Sequence, residues 1–388
     1  MNKRQWIQEI LAGNKDAPLP QHWMSFFNGN LARELTPQSC HYKPMWLYNA
    51  PKDFDSSAMG EAQLDKMISF NNYTGRCLAC LGKFANISFG HGGPGEFMLR
   101  LVSRKENEII AEYETGVLVK AQLKPHFTHA YNHPVKTIQD IEMLELPDPA
   151  APQRYEGLKK DIEYLVSRGE YTTVSLNGFF SGLHYFLMDY EVTLMALAIE
   201  PELINAALDK LGNWNLKAAE MIINAGADSI ALCDDLGSKQ TLLLSPDYYR
   251  KFFKPWHSRL CDLAHSRGAT VHLHSHGAIT PLLDDLVECG FDFVNPFDPE
   301  EGFDIEKILD RYGDSFVVTG GFPASFWDWP FQRQREHLEY LTGAGRKKGR
   351  LMLMDSGGIP ENVTKEQFDK ILETSAELRG VRNFPGCV

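Results

Sequence analysis

The sequence predicts an α/β protein built on a parallel sheet, and three observations carry that prediction. From about residue 170 onward, strands and helices alternate six times. The strands are short, continuous apolar runs, as expected of strands buried on both faces. The helices between them carry start and stop signals: Pro201 in a first turn, Ser245 followed by Pro246, and closing glycines at Gly226 and Gly268. Six units fit two architectures, a doubly wound open sheet or a (β/α)8 TIM barrel whose first two units lie upstream. Periodicity puts the barrel ahead without settling the choice.

The six strands are expected to end near Asn177, Asp235, His276, Asn295, Gly320 and Asp355. The upstream half is less regular. Residues 1–65 form an N-terminal extension that begins as an amphipathic helix. Residues 84–95 read as a strand and a glycine-rich turn. Residues 97–124 alternate like an inserted β-hairpin, turning near Lys105, Glu106 and Asn107. Cys77 and Cys80 form a lone CxxC, read as two small side chains on a helix. One barrel with such insertions reaches 388 residues, so a single domain over 1–388 is expected.

Composition excludes several classes. A net charge of −12 argues against a nucleic-acid partner. No apolar run approaches the roughly 20 residues a membrane span needs. The basic start lacks the apolar core of a signal peptide, and seven scattered cysteines suit reduced thiols, so a cytoplasmic protein is expected.

In a parallel α/β fold, ligands bind at the carboxyl ends of the strands. Polar residues collect there: Asn177, Asp234, Asp235, His272 to His276, Asn295, Asp355 and Ser356. In VHLHSHG, alternation puts His272, His274 and His276 on one face. His272 lies deepest and is read as structural. Spacing leaves two roles open for His274 and His276: ligands of one metal ion, or hydrogen-bonded pocket histidines. Asp234 and Asp235 suit a general base, a ligand or a loop cap. Asp355 ends the last strand, where its carboxylate is expected to face the pocket. His91, Tyr185, Asn177, Asn295 and Ser356 are candidate substrate contacts. A small-molecule substrate is the partner class this site implies.

From Glu112 to Gly380 the chain resembles the uroporphyrinogen decarboxylase superfamily, which includes cobalamin-dependent methyltransferases. EYETGVLVKAQL with HPVKTIQDIEMLELPDP is similar to the family's threonine-glycine segment and connector. ADSIALCDDLGSKQTLLLSPDYYRKFFKPWHSRL follows its Asp, Gly and Ser-Pro order, and VHLHSHG occupies the place of its His-x-Cys-Gly. The resemblance implies a (β/α)8 barrel and a homodimer. The decarboxylase proper begins with an Arg-Gln-Ala-Gly-Arg-Tyr segment; here the start offers only NGNLARELTP.

The layout is closest to the methyltransferase branch, of O-demethylase type, whose zinc is held by His-x-Cys-Gly and a further cysteine. Here His274 matches the ligand histidine, His276 stands at the cysteine position, and the last cysteine falls on about Gly357. The resemblance therefore implies zinc held by His274 and His276, completed by Asp355 or Asp235, and a corrinoid on a partner protein. Asp235, Asp234 and His274 are the expected catalytic groups. A harder donor set suits an acceptor nitrogen or an oxygen-bound methyl donor better than a thiol. Two other functions stay open: a metal-free lyase acting on a tetrapyrrole or other polycarboxylate, and a non-catalytic tetrapyrrole- or corrinoid-binding barrel.

Overall fold

The computed structural model describes residues 1–24, 31, 60–81, 94–123 and 126–381. His91 and most of the strand-and-turn expected over 84–95 lie outside the described residues. So does most of the extension between residues 25 and 59.

Eight parallel strands make the barrel. Two are upstream, β1 (Gln21–His22) and β2 (Leu78–Leu81). A four-stranded antiparallel sheet follows, β3 (Leu99–Lys105), β4 (Glu108–Tyr113), β5 (Leu118–Leu123) and β6 (His126–Tyr131). The remaining barrel strands are β7 (Tyr171–Asn177), β8 (Ser229–Cys233), β9 (Thr270–His274), β10 (Phe293–Phe297), β11 (Val317–Phe322) and β12 (Leu351–Asp355). Their order is β1-β12-β11-β10-β9-β8-β7-β2, and a parallel bridge between Gln21 and Arg76 joins the two ends. The barrel expectation holds, with its first two strands upstream. The inserted hairpin is larger than expected, four strands reaching Tyr131, because β6 pairs antiparallel with β5 from Leu118↔Tyr131 to Leu123↔His126.

The interior is recognisable by which side chains pack together. Leu78, Tyr171, Phe293, Val317 and Met352, from five different strands, share one buried cluster with Ile7 and Ile10 of the first helix, Lys3–Leu11. That helix therefore closes the amino-terminal end of the barrel. It starts on a capping box between Asn2 and Gln5, and Lys3 forms an ion pair with Glu170 at 2.8 Å. The alternate residues, such as Val174, Leu176, Ile230, Val271 and Leu353, pack outward in the large core beneath the helices. The CxxC expectation is corrected: Cys80 lies on β2 and Cys77 immediately precedes it. Cys77 is buried, reaches the Met352 sulfur at 3.3 Å, and has its thiol pushed up to about 12 by burial.

The helix expected after Ser245 carries an irregularity the sequence reading missed. Ser245 caps Pro246–Tyr248, but Tyr249–Phe253 forms a π turn before the α-helix Lys254–His265. Pro255 lacks an N–H, so the α ladder cannot run through it unbroken. Among the described residues, no helix is long and apolar enough to cross a membrane.

Candidate active site

Strand register builds the site. Asn177 pairs with Cys233, Cys233 with His274, and His274 with Asn295, so four inward side chains lie side by side on β7 to β10. These strands end where expected or two residues to either side. β9 stops at His274, and His276 sits in the loop beyond it. The rings of His274 and His276 nevertheless meet edge to face, with centroids 4.9 Å apart.

The loop carrying His276 is pinned by close backbone packing. Gly277 has φ +96°, and a Cβ there would lie 2.2 Å from the Gly237 carbonyl carbon, so only glycine fits. His276 N–H donates to Asp235 Oδ1 at 2.9 Å, which ties the loops after β8 and β9 together. Asp235 N–H in turn donates to Ser181 Oγ at 2.8 Å. The Asp235 carboxylate is about a third exposed, and its Oδ1 lies 3.9 Å from His274 Nε2. His274 Nδ1 meets the Asn295 side-chain amide nitrogen at 3.1 Å. With that amide as donor, neutral His274 carries its proton on Nε2, toward Asp235 and the mouth.

Asp234, the neighbour of Asp235, is placed differently. It is fully buried and accepts N–H donors from Phe179, Phe180 and Ser181 at 2.7–3.2 Å. His257 Nε2 meets it at 2.9 Å, and Tyr249 Oη meets His257 Nδ1 at 2.9 Å. Burial opposes its charge, but the His257 contact and these N–H donors outweigh burial and hold its pKa below the usual carboxylate range. Asp234 thus anchors the start of helix Phe180–Phe186, which carries Tyr185. Gly178 leaves it room, since a Cβ there would lie 2.4 Å from the carboxylate.

Around the mouth the structure adds groups the sequence reading did not single out. Glu301 Oε1 lies 3.1 Å from His276 Nδ1. Burial pulls the His276 pKa down, but the Glu301 hydrogen bond and the Asp235 and Glu301 charges leave it above the ordinary histidine value. Asp298 caps the turn Pro299–Glu301 and is held by Ser356 Oγ at 2.5 Å and Ala324 N–H at 3.2 Å. Burial raises its pKa despite those donors. Ser356, expected to touch substrate, therefore spends its hydroxyl on Asp298. Cys233 is half-buried; burial, then Asp235 and buried Glu96, push its thiol well up. Burial, then the Asp235 and Cys233 charges, raise the pKa of Tyr185. Asn177 is 2% exposed, and neither atom of its side-chain amide has a partner.

Asp355 does not join the histidines. Its register partner is Phe322, and it follows the outward parity of Leu351 and Leu353, whereas Met352 and Met354 face inward. Its Oδ1 accepts the Met24 N–H at 2.6 Å, and burial pushes its pKa up to about 6. Among the described residues, no three His, Cys, Asp or Glu side chains converge closely enough to hold a metal ion. Placed this way, His274, His276 and Asp355 do not fit a zinc ion. The signal was parity: a one-residue step at a strand end reverses the face.

Comparison with known proteins agrees with this architecture. Residues 117–377, more than half of the chain, match the family described as Uroporphyrinogen decarboxylase (URO-D). A methylcobamide:CoM methyltransferase, MtaA, from Methanosarcina barkeri is 34% identical over 119 residues, 31% of this chain and 31% of the relative. A uroporphyrinogen decarboxylase from Alkalilimnicola ehrlichii is 30% identical over 266 residues, 63% of this chain and 69% of the relative. A solved methyltransferase from Methanosarcina mazei superposes with a TM-score of 0.66 at 15% identity, covering 98% of both chains, a likeness of fold. The chain spans about a third of the curated methyltransferase it matches and about two thirds of the decarboxylase. On the family match and on these eight strands with their polar mouth, the chain belongs to the uroporphyrinogen decarboxylase family.

Proposed function

We propose that the protein transfers a methyl group between a small molecule and a corrinoid carried by a partner protein. The observation that carries this reading is the composition of the mouth: two adjacent histidines, His274 and His276, set against Asp235 and Glu301. Asp235, Asp298 and Glu301 are matched by backbone N–H groups, Ser356 and His276, and by no Lys or Arg among the described residues. Such a mouth suits a neutral or singly charged substrate and repels the many carboxylates of a porphyrinogen.

The bound corrinoid supplies the methyl-accepting or methyl-donating centre. This chain supplies proton control. Glu301 favours the imidazolium of His276, which donates its proton to the leaving oxygen or nitrogen as the carbon–heteroatom bond breaks. A bound corrinoid would take up the methyl group, and the demethylated alcohol or amine, protonated by His276, leaves. In the reverse direction His276 takes the proton from the methyl acceptor. His274 and Asp235 orient the heteroatom through Nε2–H and the carboxylate. Asn177 offers an unpartnered donor and acceptor to the rest of the substrate. Asp234 is a positioning residue in this scheme, because its oxygens are already occupied.

A second reading is favoured by the decarboxylase relatives, which match twice the length that the methyltransferase does. One assay separates the readings. Purified protein is mixed with reduced free corrinoid and a panel of methyl ethers, methylamines and methylthiols, and methylation is followed by absorbance. Methylation that falls at least ten-fold in His276→Ala supports methyl transfer. Porphyrinogen decarboxylation without methyl transfer would replace it with the lyase, and ligand-induced spectral shifts without turnover would favour a binding barrel.

A further inference from the structure

A buried charge inside the barrel is unused by the scheme above. Arg76, just before β2, is 3% exposed and points its guanidinium into the interior, where Nη2 meets His22 Nε2 at 2.9 Å. His22 pairs in register with inward Met354, and burial together with the Arg76 charge keeps its imidazole neutral. The other side-chain partner of the guanidinium is the Cys80 thiol, also kept neutral by burial. Among the described residues Arg76 thus has two uncharged partners and no ion pair, and its Nε–H has no partner. The carboxylate whose charge reaches it, Asp355, acts only through space and makes no hydrogen bond to it, and a buried guanidinium without a hydrogen-bonded counter-ion is costly. A second orphan lies beside it. Cys80 pairs in register with Thr173, an inward residue 2% exposed whose hydroxyl also lacks a partner. Two unpartnered donors, one of them cationic, therefore face the same interior region beneath the polar mouth.

We propose that Arg76 and Thr173 receive the carboxylate of a small acid within the barrel, so that the substrate is a methylated monocarboxylic acid. The guanidinium supplies the counter-charge and Nε–H, the Thr173 hydroxyl donates to the second oxygen, and the methyl-bearing end lies toward His274 and His276. One cation accommodates one carboxylate, which agrees with an acidic mouth that rejects several. The proposal deepens the methyl-transfer reading by naming its substrate class, yet the binding step stands apart from it. Carboxylate binding without any methyl transfer would sink that reading and leave this site intact.

The test is isothermal titration of the full chain at fixed ionic strength with methoxyacetate and 3-methoxybenzoate. Their uncharged counterparts, 2-methoxyethanol and 3-methoxybenzyl alcohol, are run alongside, with sodium chloride and phosphate as controls. Saturable binding of at least one acid is expected, at least ten-fold tighter than its alcohol. Arg76→Met is expected to abolish that preference, Arg76→Lys to retain part of it, and Thr173→Val to weaken the acid by about three- to ten-fold. The acid-against-alcohol comparison uses wild-type protein, so it remains decisive if Arg76→Met does not fold. No binding of either acid, equal binding of acid and alcohol, or chloride and phosphate competing as well as they bind would overturn the proposal.

Discussion

Glu301 Oε1 stands 3.1 Å from His276 Nδ1, and the two come from loops after neighbouring strands, 25 residues apart in sequence. The pair is positioned from behind. Ser356, after β12, holds Asp298, and Asp298 caps the turn that ends in Glu301. Three loops at the mouth thereby set the protonation of one imidazole.

Replacing Glu301 by Gln removes the hydrogen-bonding carboxylate that keeps the His276 pKa up, while burial continues to pull it down. The His276 pKa, followed by NMR of the ring protons, is expected to fall. The sign for stability follows: the pair's contribution is full below the unfolded value of about 6.5 and disappears as pH rises through the folded value. Wild type and Glu301→Gln should therefore differ in urea midpoint at pH 5.5–6 and converge toward pH 9. An unchanged His276 titration would refute the coupling.

Asp234 predicts a stability defect in place of a purely catalytic one. Asp234→Ala strands His257 and three backbone N–H groups in the interior, a loss of about 3–5 kcal/mol. Urea denaturation should report it. Asp235→Ala, at a carboxylate about a third exposed, should cost far less stability while lowering turnover. Equal destabilisation by the two changes would contradict the division of roles.

Cys233 tests the electrostatics of the mouth directly. Burial and the acids Asp235 and Glu96 disfavour its thiolate, so it should alkylate more slowly with iodoacetamide at pH 8 than a free cysteine. Removing one of those charges in Asp235→Asn should speed the reaction, as read by mass spectrometry of the modified peptide. A faster wild-type rate would mean that a cation, absent from the described contacts, faces the thiol.

The placement of Asp355 bears on metal content. Because Asp355 turns away from the two histidines and no three His, Cys, Asp or Glu among the described residues, Asp235 included, converge on one point, elemental analysis is expected to find well under one zinc per chain, and a chelator should leave methyl transfer unchanged. One zinc per chain, lost in His276→Ala, would show that the histidines recruit a third ligand.

Much of the fold was readable from residues alone. Apolar runs such as 171–176 and 270–273, with caps at Pro201 and Ser245, marked six units because local patterning and tertiary burial agree there. The N-terminal amphipathic helix was visible for the same reason. What escaped were short or atypical elements. The two-residue strand at Gln21 has no periodicity to read, and the stretch around Cys77 and Cys80 looks helical until the pairing of Leu78–Leu81 with Tyr171–Val174 is known. The π turn at Tyr249 escaped as well, because the pattern reads as one continuous helix from Ser245 to Gly268 and does not mark Pro255 as a break.

The site divides along the same line. The sequence by itself determined that His274, His276, Asp235, Asn177 and Asn295 gather at strand carboxyl ends, since alternation and chain order suffice to put them there. Only the tertiary structure decided their partners. It gave Asp234 to the backbone of residues 179–181, Ser356 to Asp298, and Glu301 to His276. It also turned Asp355 toward Met24 and left Arg76 and Thr173 with unpartnered donors in the interior. The physical reason is that strand parity fixes a direction from one residue to the next. Which polar groups are satisfied there depends on loops and strands far apart in the chain, and local pattern carries no record of them.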